Sequence, residues 1–265
     1  MRSDGTLLGL REALPWPKDR PFRILSVDGG GIRGILPAEI LAELEQRYCG
    51  GHSAGDYFDL IAGTSTGGII ALGLAAGPNA RRILDLYLDH GNEVFPRSRI
   101  QRYRLGRKLL WLRSLRHHAY DVAPLKTYLA EVFGDRLIGD LTRRICVPSF
   151  DGFTEVHIFK TPHHKDYRKD WQATLVTAAM ATAAAPTFFP VYQNGGRYFA
   201  DGGVWANNPV MIGLVDALAC HQLDRRQVHI LSLGSGDTEI RITRKQIIRG
   251  GVWHWREIFS SGGTS

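Results

Sequence analysis

The chain is poor in sulfur, with three cysteines and three methionines in 265 residues. Cys49, Cys146 and Cys220 are odd in number, far apart and free of any C-x-x-C spacing. That argues against a disulfide framework and against a zinc site, so three reduced, mostly buried thiols are expected. The first 16 residues contain no uninterrupted apolar run, because Arg2, Asp4, Arg11 and Glu12 intervene. No signal peptide is expected there, and the default compartment is the cytoplasm. Residues 60–80 lack any charge and are long enough to imitate a membrane span. They also hold Gly63, Gly67, Gly68, Gly73 and Gly77 with three hydroxyl residues, which fits a buried strand, turn and helix better. Finally, residues 97–116 contain no acid at all, yet carry eight Lys or Arg. Against a net charge of +7, the remainder of the chain stands at −1, so the basicity is a local feature.

What is present is ordinary for a globular protein. Hydrophobic residues make up 44% and charged residues 22%, far from the composition of a disordered chain. The length is within the range of one α/β domain. Residues 22–27 (FRILSV) form a short β-rich apolar run that ends in Asp28 and three glycines, followed by a helical pattern from Pro37 to Tyr48. Residues 57–63 (YFDLIAG), a glycine-bounded turn and GIIALGLAA repeat the same order. Strands alternating with helices predict a parallel sheet. Further helices are expected over 81–90, 124–133 and 171–185, strands over 144–150, 155–160 and 228–233, and a hairpin turn at Asn194-Gly195.

Three segments carry candidate chemistry. Gly63-Thr64-Ser65-Thr66-Gly67 has the form G-x-S-x-G between a strand and a helix, the context of a nucleophile elbow, although the pentapeptide alone equally fits a turn in which Ser65 merely caps the helix. Asp28-Gly29-Gly30-Gly31-Ile32-Arg33-Gly34 offers several backbone amides beside a helix N-terminus, a nest for a developing oxyanion, where losing one donor costs roughly 3 kcal/mol of transition-state stabilisation. The rival reading of Gly29, Gly31 and Gly34 as a dinucleotide fingerprint needs an acid ending the second strand, where Gly63 and Ser65 stand instead. Phe199-Ala200-Asp201-Gly202-Gly203 places a carboxylate between a β-like run and two glycines; taken alone, such an Asp is more often a turn residue than a catalytic one.

Together, in this order, the three segments resemble the patatin-like phospholipase family, with its D-G-G-G-x-R-G loop, G-x-S-x-G elbow and D-G-[GA] motif. The resemblance extends through residues 183–190 and Asn207-Asn208-Pro209, covering about 22–236. It implies a three-layer α/β sandwich with a central, mostly parallel sheet. It also implies a serine acyl hydrolase of the phospholipase A type in which Ser65 attacks an ester of a membrane glycerolipid and Asp201 takes its proton, with no histidine between them and no metal or organic cofactor. Gly29, Gly30, Gly31 and Arg33 would stabilise the oxyanion, and Gly63, Gly67, Gly202 and Gly203 would shape the turns. The other option is a Ser, Asp, His triad, for which His221, His229 and His254 follow Asp201, none framed by a turn motif.

The domain expected over 21–236 is flanked by an extension over 1–20 and a tail over 237–265. It carries a basic insertion or lid over 97–118, whose charges alternate with leucines. Arg107, Lys108, Trp111 and Arg113 there suit contact with an anionic membrane surface, and a solvated lid explains the pattern equally well. Among family members the chain resembles bacterial anti-phage effectors activated by a cyclic nucleotide, which implies a cytoplasmic protein peripheral to the inner membrane surface. Such members continue with helices beyond the position of Gly236, so the tail is expected to be shortened. A different class of function is a catalytically inactive basic module that binds membranes or nucleic acid through 97–116.

Overall fold

The computed structural model describes residues 12–94, 120–152, 155–186 and 188–236. Strand β1 (Phe22–Val27) feeds the glycine loop, a 3-10 turn (Gly31–Gly34) and helix α1 (Ile35–Tyr48). Strand β2 (Leu60–Gly63) feeds α2 (Thr66–Ala76), and α3 (Ala80–Val94) follows. After residues 95–119 come α4 (Ala123–Phe133), β3 (Arg144–Asp151), β4 (Glu155–Lys160) and α5 (Leu175–Thr182). The hairpin strands β5 (Tyr192–Asn194) and β6 (Arg197–Asp201), helices α6 (Gly203–Ala206) and α7 (Val210–Cys220), and β7 (Val228–Leu233) complete the order.

The seven strands form one sheet, ordered β5-β6-β3-β2-β1-β7 with β4 also on β3. β7, β1, β2 and β3 run parallel, whereas β4 and β6 pair antiparallel with β3, and β5 with β6. The sheet is therefore mixed, parallel through its centre and antiparallel beyond β3. Alternate side chains of β1 divide the molecule into layers. Leu25 and Val27 join the larger core under α1 to α5, while Phe22 and Ile24 join a smaller one with Ala217 of α7. A strand buried on both faces is expected to be a near-continuous apolar run, and FRILSV is one apart from half-buried Arg23 and buried Ser26. Helix α2 is buried on every side, as its uniformly apolar sequence requires. On the opposite face, Gly213 lets α7 settle on the sheet, since a Cβ there would sit 3.0 Å from Ile24 and 3.1 Å from Leu60.

Several expected boundaries move, each for a local reason. The strand read as 57–63 begins only at Leu60, because Ser53 accepts from the Gly55 amide at 3.2 Å and starts a 3-10 turn over Ala54–Tyr57. The helix read as 171–185 is held to Leu175–Thr182, since Thr174 caps its start by accepting from the Thr177 amide. The hairpin turn lies one residue later than expected, at Gly195 and Gly196, both in the left-handed region with φ of 56° and 77°. Two such residues make the turn that matches strand twist, and only glycine adopts both without strain. Cys146 and Cys220 are buried, Cys49 is half-buried, and all three are free. Residues 60–80 are the strand, turn and helix expected, and no helix among the described residues is long and apolar enough to cross a membrane.

Candidate active site

The length of β3 decides what meets at the end of β2. Its first residues, Arg144 to Cys146, pair with β2, and β4 takes the other edge from Cys146 to Asp151. The edge left open beyond the end of β2 is filled by β6, which runs back toward it with Asp201 opposite Ser149. The last residue of β6 therefore arrives head-on at the turn leaving β2.

Ser65 occupies that turn with φ 54° and ψ −122°, the one non-glycine residue at positive φ among the described residues. Such backbone costs about 1–3 kcal/mol and persists only where its surroundings enforce it. Those surroundings are visible. The Ser65 amide donates to Thr182 Oγ1 at 2.9 Å, and that hydroxyl donates onward to the Pro148 carbonyl at 2.6 Å. Gly63 and Gly67 clear space for the backbone, since a Cβ on Gly63 would meet the Gly67 carbonyl and one on Gly67 would lie 2.7 Å from the Asp28 carbonyl oxygen. Gly202 does the same against Pro148, with a Cβ there 2.7 Å from its carbonyl carbon.

Ser65 Oγ donates to Asp201 Oδ2 at 2.6 Å, across 136 residues of sequence. The other carboxylate oxygen, Oδ1, accepts from the Gly203 amide at 2.6 Å, at the start of α6. Asp201 is only 4% exposed. Burial pushes its carboxyl up to about 6, and the bonds from Ser65 and Gly203 offset only part of that. A carboxylate made more basic in this way is better matched to a hydroxyl than a solvated one.

The glycine loop runs beside the same serine: a Cβ on Gly29 would stand 3.3 Å from Ser65 Cβ. The four loop residues singled out above are not equivalent. The Gly29 amide donates to the Asn207 carbonyl at 3.0 Å, so it is committed away from any substrate. This corrects its place among the oxyanion donors and leaves Gly30 and Gly31, the latter at φ 55°. The Arg33 amide donates to the Gly30 carbonyl at 3.1 Å, within the 3-10 turn, and its side chain is half-buried. Burial also raises the Asp28 carboxyl, against a bond from Asn208 Nδ2 at 2.8 Å. Thr182, Asn207, Asn208 and Ser235 surround the site; Asn207 and Asn208 entered above only as part of the family resemblance and Thr182 and Ser235 carried no signal, because each acts on a partner far away in sequence.

A family model described as patatin-like phospholipase matches residues 25–214. The chain belongs to that family. A cGAMP-activated phospholipase of Escherichia coli (strain TW11681) is 40% identical over 231 residues, covering 82% of this chain and 63% of that protein. One from Vibrio cholerae is 40% identical over 209 residues, covering 72% and 56%. Patatin-like protein 2 of Arabidopsis thaliana is 34% identical over 268 residues, covering 88% and 64%. The chain thus spans 56 to 64% of the length of these relatives.

In this patatin-like phospholipase fold the candidate triad histidines are elsewhere. His221 packs on Trp16 and Phe22, and His229 pairs with Arg23, both at the start of β1 and so at the opposite end of the strands from Ser65. Burial, with Arg144 and His163 nearby, lowers His221 to about 4. His254 and the membrane-contact residues Arg107, Lys108, Trp111 and Arg113 lie outside the described residues. A separate buried group, His163, Asp216 and Cys220, has ligand atoms within 4.8 Å of one another. Its carboxylate is already occupied, by Lys160 Nζ at 2.6 Å and Tyr167 at 2.7 Å on Oδ1 and by His163 at 2.7 Å on Oδ2.

Proposed function

We propose that this chain hydrolyses fatty-acyl esters of membrane phospholipids and related glycerolipids, with Ser65 as nucleophile and Asp201 as its base. The observation that carries this reading is the 2.6 Å bond between them, made by a serine in a strained turn and a buried, basic carboxylate. Ser65 Oγ attacks the ester carbonyl carbon as its proton passes to Asp201. The oxyanion that forms is met by the Gly30 and Gly31 amides beside the first turn of α1, with Arg33 adding positive charge. Collapse breaks the ester bond, the departing lysolipid oxygen takes the proton back from Asp201, and an acyl group remains on Ser65. Water then attacks the acyl-enzyme, giving its proton to Asp201. The fatty acid leaves and Ser65 is reprotonated. These steps use neither a metal nor an organic cofactor.

The substrate class follows from the family and from relatives named phospholipases. The same relatives are named cGAMP-activated, and we extend that to a cyclic-nucleotide activator here, in an antiviral membrane-degrading effector. The basic residues of 97–118, Arg107, Lys108, Trp111 and Arg113 among them, are proposed to hold a cytoplasmic protein peripherally on the anionic inner membrane surface.

The test is incubation with phosphatidylethanolamine and phosphatidylglycerol vesicles, with and without cGAMP, followed by mass spectrometry of the released lipids. Free fatty acid and lysolipid from the wild type, stimulated by cGAMP and absent with Ser65→Ala, are expected. Vesicle binding without any Ser65-dependent product would favour the inactive basic module.

A further inference from the structure

One short segment touches all three working parts of the site. At its start, Asp201 bonds Ser65 and receives the Gly203 amide. At the end of α6 the Ala206 carbonyl accepts from Thr64 Oγ1 at 2.7 Å, next to Ser65 in the elbow. One residue on, Asn207 brackets the Gly29 peptide: its carbonyl accepts from the Gly29 amide at 3.0 Å, and its side-chain Nδ2 donates to the Gly29 carbonyl at 3.3 Å. Ser235 Oγ donates to the same carbonyl from the far side, at 2.9 Å. A Cβ on Gly29 would collide with Asn207 Oδ1, so this side chain packs directly on the loop beside Ser65.

These contacts have a consequence for catalysis. Three consecutive glycines have the largest conformational freedom of any tripeptide, and holding each residue in one conformation costs about 1–2 kcal/mol. Amides stabilise an oxyanion efficiently only if they are aimed before the charge develops. Thr66 Oγ1 donates to the Gly31 carbonyl at 2.8 Å, which pins the end of the loop nearer α1. The start of the loop, Gly29, is bracketed by Asn207 and Ser235.

We propose that Asn207 is a positioning residue for the oxyanion cradle. Its side chain fixes the Gly29 peptide, so that the Gly30 and Gly31 amides are preset toward the substrate carbonyl, in register with the base six residues earlier on the same segment. This rests on the hydrolase reading of Ser65 and Asp201. The hydrogen bonds of Asn207 run to Gly29, while those of Asp201 run to Ser65 and Gly203, so its bonded route to the site is the loop.

Full-length protein is assayed on a soluble short-chain p-nitrophenyl ester, with Ser65→Ala as the reference for the hydrolase reading. Asn207→Ala should lower kcat by about 10²-fold, the effect of a misplacement near 1 Å. KM should stay within threefold, because the ground-state ester does not need the cradle. Affinity for a trifluoromethyl ketone, which forms a tetrahedral oxyanion on the serine, should fall by the same factor as kcat/KM. The pH midpoint near 6 should not move, since Asp201 keeps both its partners. Asn207→Leu, which keeps the approximate size and loses the donor without adding charge, should behave like Asn207→Ala, and Ser235→Ala should give a smaller loss that is less than additive with it. If Asn207→Ala does not fold, Asn207→Leu and Ser235→Ala carry the same comparisons. A folded variant within threefold of wild-type kcat, an unchanged inhibitor affinity alongside a lowered kcat, or a displaced pH midpoint would overturn the proposal. Undiminished turnover in Ser65→Ala would instead sink the hydrolase reading itself.

Discussion

Ser65 and Asp201 owe their chemistry to two different kinds of constraint. The serine is held at positive φ by glycines that admit neighbouring backbone and by the Thr182 hydroxyl on its amide. The aspartate is made basic by being buried. The proposed mechanism needs Asp201 ionised to accept a proton, so kcat/KM on a soluble ester should be flat at neutral pH and fall as the pH drops through about 6. A midpoint near 4, that of an ordinary carboxylate, would mean that burial does not tune this group. The glycines give a second prediction. A Cβ on Gly67 would collide with the Val27 carbonyl and approach that of Asp28, neither of which can move without displacing the end of β1. Gly67→Ala should therefore lose about 1–3 kcal/mol in urea unfolding together with most of the activity, whereas unchanged stability would show that the turn has slack. The segments holding Ser65 and Asp201 were marked by short motifs, each ambiguous alone and pointing to chemistry only through their joint order. The contacts of Thr182 and Asn207 were not legible, even though Asn207 lies in a stretch that carries the family resemblance, since their partners stand 117 and 178 residues away and are main-chain groups, which any residue supplies.

Among the elements, α7 and β4 are joined by the buried Asp216 group rather than by apolar contact alone. Burial favours the neutral acid, but His163 and Lys160 outweigh it and hold Asp216 well below the usual carboxylate range. A depressed acid stabilises the fold above its unfolded value, near 4, and that contribution disappears as the pH falls toward the folded value. It is therefore fully present at neutral pH. Removing the carboxylate with Asp216→Ala would leave Lys160 without its charge partner, at an expected cost of about 3–5 kcal/mol measured by denaturant unfolding. The pH midpoint of activity should remain near 6, because the Asp201 carboxyl is set by burial and by its bonds from Ser65 and Gly203, none of which involves this group; a shifted midpoint would contradict that independence. Strands β1 and β7 were readable to the residue because both are short, β-rich and largely apolar, interrupted only by Arg23 and Ser26 in one and His229 and Ser232 in the other, although most of β7 is exposed. Tyr57 and Phe58 looked like strand by type, yet the Ser53 cap turns the chain there, and Ala183 to Ala185 looked helical by composition although α5 ends at Thr182.

Across the whole molecule, the alternation of strands and helices predicted the layered architecture, and the match over residues 25–214 places it in the patatin-like phospholipase family. Beyond the hairpin expected near Asn194, the antiparallel pairing of β4 and β6 with β3 was not foreseen, since the alternation of a strand says nothing about its direction. It is this pairing that matters for the site. An antiparallel β6, pairing with the part of β3 beyond β2, is what carries Asp201 to Ser65.

That meeting is tested most directly by the rate at which a fluorophosphonate labels the purified protein as a function of pH, with the modified residue located by peptide mass spectrometry. The label should fall on Ser65 alone, at a rate that declines below about pH 6 and drops by at least 10²-fold in Asp201→Asn, while that variant melts no lower than the wild type at pH 8. Labelling at another residue, or an unchanged rate in folded Asp201→Asn, would contradict the pairing of nucleophile and base.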